Sequence, residues 1–236
     1  MYELRDVTKR YRRGTDRVEA LTGVDLTIPD GQFLAIQGQT GSGKSTLLQL
    51  LGALDRPTTG SVRYAGSDLS TRSEGELGGL RAREFGFIFQ SFNLIPTMTA
   101  MENVEAALVP LGARAGERSR RAAEALDEVG LGHRLRHVPV ELSGGEQQRT
   151  AIARALVKDP RVILADEPTG NLDEATRDEI LGLLVRLWAE RGTTLVVVTH
   201  DGVVASKAHR RARLEHGTIE PDADEREDAI EQSVAR

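Results

Sequence analysis

The octapeptide Gly38-Gln39-Thr40-Gly41-Ser42-Gly43-Lys44-Ser45 restricts the possible folds of this chain more than any other stretch. It follows the apolar run Phe33-Leu34-Ala35-Ile36 and precedes the helical pattern "STLLQLLG". The spacing G-x-x-x-x-G-K-S between strand and helix is that of a phosphate-binding loop. Its glycines let the backbone curl until its N–H groups face an anion, and the helix N-terminus adds its dipole. In this reading Lys44 reaches the β- and γ-phosphates of a nucleotide and Ser45 binds Mg2+. Thr46, next along the helix, is assigned to the same nucleotide site.

Two further apolar runs, Val162–Ala165 and Thr194–Val198, are short and continuous rather than alternating. That is the pattern of strands buried on both faces of a parallel sheet, and helical patterns separate them. In open α/β sheets ligands bind beyond the carboxyl ends of the strands, so the residues that follow each run carry chemistry. Asp166 and Glu167 follow the first, and His200 follows the second. Asp166 suits Mg2+, directly or through its hydration shell. Glu167, one residue further, points elsewhere and can polarise an attacking water. His200 suits a hydrogen bond to a γ-phosphate. An isolated acid pair or a lone histidine is ordinary surface; a phosphate loop on the same sheet makes them candidates.

The segments on either side of these runs differ in character. "YELRDVTKRY" and "LTGVDLTIPDGQFLAIQG" read as shorter strands with a turn at Pro29–Gly31, an antiparallel β flap before the parallel core. From about 91 to 160 the chain reads as an inserted helical subdomain. Thr99 and Glu102 form a capping box opening a helix that Pro110 should end. Residues 118–129 place Ala122, Ala125, Leu126 and Val129 at helical spacing, with Gly130 as the cap. In "LSGGEQQR" Ser143 and Glu146 form another capping box, yet Gly144 and Gly145 lie between them, and a helical glycine costs up to about 1 kcal/mol relative to alanine. The expectation is one domain over 1–220 with this insert, followed by a polar tail, 221–236, that frays.

Bulk properties exclude several classes. Charged residues make up 28% of the chain and hydrophobic ones 39%, a soluble globular balance. The formal net charge of −5 argues against a general nucleic-acid binder. There is no cysteine, hence no disulfide framework or thiolate metal site. "MYELRDVTKRYRRG" lacks an apolar signal region and no run reaches the roughly 20 apolar residues of a membrane span, so the cytoplasm is the default location.

In this order the pieces resemble the ATP-binding subunit of ABC transporters, over nearly the whole chain to about residue 220. The resemblance implies an α/β P-loop NTPase fold of the ABC ATPase kind, binding ATP and Mg2+. "LSGGEQQR" looks like the family's signature motif. Gln90 in "FGFIFQSFNL" matches the glutamine that senses Mg2+ and faces the membrane partner. Asn171-Leu172-Asp173 matches the D-loop, which brings Asp173 into the nucleotide site, and His200 matches the switch histidine. Tyr11 matches the aromatic residue that stacks on adenine. "FNLIPTMTAMENV" and "ADEPTGNLD" are similar to the lipoprotein-release and macrolide-efflux type, whose relatives also serve cell division and peptide export. Two departures stand out: Gln39-Thr40 replaces the usual Pro-Ser of the phosphate loop, and "SKAHRRARLEHG" replaces the usual A-D-R run after the histidine.

The resemblance also implies a mechanism in trans. A second copy of the chain packs head to tail, with ATP between one copy's phosphate loop and Ser143, Gly144 and Gly145 of the other. A separate integral membrane permease docks around Gln90 and the helical insert, holding the protein at the cytoplasmic face of the membrane. Export or extraction of lipoprotein, peptide or drug is the implied task; the alternative is the cell-division kind of ATPase, which signals through a membrane partner and moves nothing. DNA-repair relatives carry a long coiled coil between the ATPase halves, whereas only about fifty residues without sustained heptads lie between Gln90 and Leu142.

Overall fold

The computed structural model describes residues 1–14 and 16–220, so the tail expected to fray lies outside the described residues. In chain order the elements are β1 (Tyr2–Arg13), β2 (Asp16–Ile28), β3 (Phe33–Gln37), α1 (Lys44–Leu51), β4 (Thr59–Tyr64), β5 (Ser67–Asp68), α2 (Glu74–Glu84), β6 (Phe85–Phe89) and α3 (Ala100–Glu105). They continue with α4 (Ala115–Glu128), α5 (Gly144–Leu156), β7 (Val162–Asp166), α6 (Glu174–Arg191), β8 (Thr194–Thr199), α7 (Gly202–Ser206), β9 (Arg210–Glu215) and β10 (Thr218–Glu220). The described residues divide into two compact units: residues up to 71 with 197–220, and residues 72–196.

The first unit contains an antiparallel sheet of order β2-β1-β4-β5, the expected flap. Its first two strands are longer than the sequence pattern indicates, at 12 and 13 residues. They pair from Tyr2↔Ile28 to Arg12↔Arg17, with register shifts between Leu4 and Arg10. The shifts explain why the alternation looks broken: a bulge moves side chains to the other face without ending the strand. One face of the sheet buries Tyr2, Leu4, Leu26 and Ile28. Tyr2 donates its hydroxyl to the Leu51 carbonyl at 3.0 Å, tying the sheet to the end of α1.

The same unit holds β3, with Phe33, Leu34, Ala35 and Ile36 all fully buried. β9 runs parallel to it from Leu34↔Arg210 to Gln37↔Arg213, and β10 turns back antiparallel to β9. The unit's share of β8 flanks β3 on its other edge. The unusual "SKAHRRARLEHG" still forms the end of α7 and β9, because Val204, Ala205, Ala212 and Leu214 supply buried apolar contacts. Arginines occupy the intervening, more exposed positions of β9.

The second unit holds β6 parallel to β7, from Phe85↔Val162 to Phe89↔Asp166, with the start of β8 beside β7. Its helices include the expected insert. α3 opens on the Thr99–Glu102 capping box but ends at Glu105 rather than at Pro110. The chain tightens into a 3-10 helix over Ala106–Leu111 that contains Pro110, and leaves it at Gly112 with φ +73°. Proline has no N–H for an α-helical bond and its ring clashes with the carbonyl four residues back, so α geometry stops a turn earlier. α4 begins three residues before the pattern suggests and is closed by Gly130 at φ +80°. Among the described residues no helix is long and apolar enough to cross a membrane.

Candidate active site

In the first unit β3 delivers the chain into the loop 38–43. Gly41 and Gly43 take φ +83° and +104°, a region that L side chains rarely adopt. A Cβ on Gly43 would stand 2.3 Å from the Ala20 carbonyl oxygen, and one on Gly38 2.3 Å from that of Leu214. These two glycines are therefore required by close backbone neighbours. Gln39 and Thr40 are exposed and neither has a positive φ, so their departure from Pro-Ser leaves the loop geometry undisturbed. Lys44 is buried in the loop, with Nζ donating to the carbonyls of Gly38 at 2.7 Å and Gln39 at 3.0 Å. Ser42 Oγ is buried without a hydrogen-bond partner. A buried orphan hydroxyl beside an ammonium, in a loop with open space at Gly41, fits a phosphate chain. Ser45 and Thr46 follow on the first turn of α1, Ser45 exposed and Thr46 half-buried.

His200, immediately after β8, lines a cavity of about 350 Å³ with Gln37, Gly38, Gln39, Arg213 and Glu215. The structure thus brings the histidine to the phosphate loop, as the sheet-edge reading expects. Tyr11, on β1, reaches the turn that follows α1. Its hydroxyl donates to Asp55 Oδ2 at 2.9 Å, and the Lys9 ammonium lies over its ring, 4.9 Å from the centroid. Burial and the Asp55 hydrogen bond push the phenol pKa up, against a hydrogen bond from Thr46 that lowers it.

In the second unit the parallel pairing Phe89↔Asp166 sets Gln90 and Glu167 side by side at one sheet edge. Asp166 closes β7, and Glu167 follows at φ +45°. Left-handed geometry at a non-glycine residue costs roughly 1–3 kcal/mol and collects at functional sites. The kink turns the backbone between the two acids. Gln90 and Asn171 pair reciprocally: Gln90 Nε2 donates to Asn171 Oδ1 at 3.1 Å, and Asn171 Nδ2 donates to the Gln90 carbonyl at 3.0 Å. Arg154 of α5 donates to the carbonyls of Phe92, at 2.7 Å, and Asn93, two residues with positive φ just beyond Gln90.

α5 starts as its capping box dictates. Ser143 N–H donates to Glu146 Oε2 at 2.8 Å and Glu146 N–H donates to Ser143 Oγ at 3.2 Å. The Ser143 N–H, the Ser143 hydroxyl and Arg134 hold the Glu146 carboxyl below its ordinary range, against partial burial. Of the paired glycines, Gly145 has a reason within the chain, and Gly144 has only ordinary contacts. A Cβ on Gly145 would meet Thr176 Cγ2 at 2.7 Å, and one on Gly144 would meet Leu172 Cδ2 at 3.4 Å. Asp173 caps α6, accepting from Thr176 N–H at 3.1 Å and Thr176 Oγ1 at 2.7 Å. Its carboxylate thus serves the helix start, and Ser143, exposed, remains the polar end of α5.

Ser45 in the first unit offers a hydroxyl, and Gln90 and Asp166 in the second an amide and a carboxylate; each is the hard oxygen donor that Mg2+ takes. Lys9, Asp55, Asn103 and Arg154 went unnoticed in the sequence. Asn103 is fully enclosed and accepts from Ile95 N–H at 2.7 Å while donating to the Met98 and Thr99 carbonyls at 3.0 Å, shaping the loop after Gln90. Its partners lie four to eight residues away, but an asparagine inside a helical pattern carries no sign of what it holds.

Fold and loops together define an ATP-binding cassette. The family described as ABC transporter matches residues 21–170, and the chain belongs to it. Within that family the chain is 49% identical over 222 residues to the lipoprotein-releasing system ATP-binding protein LolD of Geobacter metallireducens, covering 94% of this chain and 99% of that one. It is 48% identical to the macrolide export ATP-binding/permease protein MacB of Hyphomonas neptunium, covering 99% of this chain but only 36% of MacB's length. A solved dimeric structure of the ATP-binding cassette MJ0796 in a post-hydrolysis state, bound to ADP and Pi, superposes with a TM-score of 0.87 at 45% identity. That likeness covers 93% of this chain and 97% of the other. The chain is an ATPase of this family.

Proposed function

We propose that two copies of this chain close head to tail on two ATP molecules and thereby drive a separate membrane permease. The observation that carries the reading is the bare N-terminus of α5, where Ser143 is exposed and two residues without side chains follow it. A helix N-terminus attracts anions. The description of MJ0796 as dimeric and bound to ADP and Pi supports the same arrangement. Two-fold symmetry makes both composite sites equivalent.

In each site Gly38–Ser42 and Lys44 bind the phosphates, and the orphan Ser42 hydroxyl gains a partner. Tyr11 carries the adenine. His200 hydrogen-bonds the γ-phosphate, and Glu167 orients the attacking water and accepts its proton. Ser45, Gln90 and Asp166 are assigned to Mg2+ and Asp173 to the nucleotide; the ion would neutralise charge on the transferring phosphoryl group. The partner's Ser143–Gly145 completes the shell around that group. ATP bridges the two copies through its γ-phosphate, and ADP lacks the bridge. Moving a mostly open pair to mostly closed requires about 5.5 kcal/mol of differential affinity, shared by two sites.

Export or extraction of lipoprotein, peptide or drug is the task we assign, supported by the similarity to LolD and MacB. The protein then works at the cytoplasmic face of a membrane, held by its permease. Glu167→Gln should keep ATP binding, abolish turnover and trap a dimer in ATP that disperses in ADP, read by size-exclusion chromatography with light scattering. A variant that stays monomeric in ATP and Mg2+ would sink the clamp mechanism.

A further inference from the structure

Tyr11 sits half-exposed on a strand, where an aromatic ring ordinarily changes rotamer freely. Here it is held from three directions. Its hydroxyl donates to Asp55 Oδ2 at 2.9 Å, Thr46 lies near enough to the phenol to act on its pKa, and the Lys9 ammonium sits over one ring face. The holders are themselves held. Lys9 Nζ donates to Asp55 Oδ1 at 2.6 Å and to the Arg56 carbonyl at 2.8 Å, and Asp55 Oδ1 also accepts from Arg56 N–H at 2.7 Å. The Lys9 side chain is only 12% exposed. Asp55 and Thr46 belong to the helix that begins at Lys44 and the turn that leaves it, so one rigid element connects the ring to the phosphate loop.

We propose that Lys9 and Asp55 are positioning residues for the base of a bound nucleoside triphosphate, fixing the ring of Tyr11 so that the face opposite Lys9 meets the base. This role rests on Tyr11 as the stacking surface. With Lys9 on one face, a planar ligand would take the opposite one. Stacking of this kind is tolerant of base identity, because every base presents a π-face. Lys9 and Asp55 therefore set affinity for the nucleoside part and leave the choice between purines to other contacts.

The test is calorimetric titration of the full chain, without Mg2+, using ATP, GTP and inorganic triphosphate. Lys9→Met should weaken ATP and GTP by the same factor, roughly two- to fivefold for a cation–π contact, and leave inorganic triphosphate unchanged. Asp55→Asn, which keeps the size but removes the charge that holds Lys9, should act in the same direction. A loss shared equally by ATP and inorganic triphosphate, or no loss of ATP, would overturn the positioning role. Tyr11→Ala separates the two layers. If it weakens ATP while Lys9→Met and Asp55→Asn do not, Tyr11 stands as the stacking surface and the positioning role fails. If Tyr11→Ala leaves ATP affinity intact, the stacking surface itself is wrong and the role of Lys9 and Asp55 falls with it.

Discussion

Gly145→Ala separates two reasons for the glycine pair. The added Cβ would lie 2.7 Å from Thr176 Cγ2, about 1 Å inside ordinary carbon–carbon contact. Thr176 does not yield freely, because its hydroxyl donates to Asp173 Oδ2 at 2.7 Å and its N–H to Asp173 Oδ1 at 3.1 Å, the cap of α6. Rotating the side chain sacrifices the hydroxyl bond, about 1 kcal/mol. Leaving it in place overpacks the contact, about 1–3 kcal/mol. The better helix propensity of alanine offsets up to about 1 kcal/mol. The net expectation is a loss of up to about 2 kcal/mol, which lowers the melting temperature by up to about 8 °C in a chain of this size. Thr176→Ser removes the methyl group and keeps the hydroxyl, so the double variant should recover most of that stability in a double-mutant cycle. Its ATP turnover should nevertheless stay low if the α5 terminus must approach a phosphate on another copy. A double-mutant cycle with no favourable coupling between Gly145→Ala and Thr176→Ser would refute the packing argument. Full turnover in the double variant would refute the need for glycine in trans.

Three further outcomes follow from particular contacts. Gly38→Ala places a Cβ 2.3 Å from the Leu214 carbonyl and 2.5 Å from Ser42 Oγ, so the loop must shift, and calorimetry should find ATP affinity reduced by at least about tenfold. Asn103→Ala strands the Ile95 N–H and several carbonyls, and denaturant unfolding should show a loss of about 2–4 kcal/mol. Lys158, which donates to the Arg81 carbonyl, has its pKa pushed down by burial from 10.5 to about 8. Between those values the unfolded chain keeps a proton that the fold has released, so stability should rise with pH across that window in the wild type relative to Lys158→Met. Parallel pH profiles for the two proteins would contradict the burial argument.

Much of the fold was legible because its signals are local. The strand–loop–helix of the phosphate site follows from glycine torsions and an apolar run, and both occur as expected at Gly41, Gly43 and β3. Capping boxes at Thr99 and Ser143 form as read, since each closes within one turn. Pattern reading failed where register or helix type changed without a local marker, as in the bulged β1 and the 3-10 turn through Pro110.

By itself, the sequence determined the kind of ligand site: a phosphate loop after a buried strand, two acids and a histidine after others, and a glycine-opened helix. Those features depend on torsions and bonds within a few residues. Only the tertiary structure decided how the site is held. Gln90 pairs with Asn171 across 81 positions, Tyr11 is anchored by Asp55 across 44, and Gly145 makes room for Thr176. No periodicity encodes such pairs, because they exist only where separate elements pack and one side chain completes another's hydrogen bonds or occupies the space beside it.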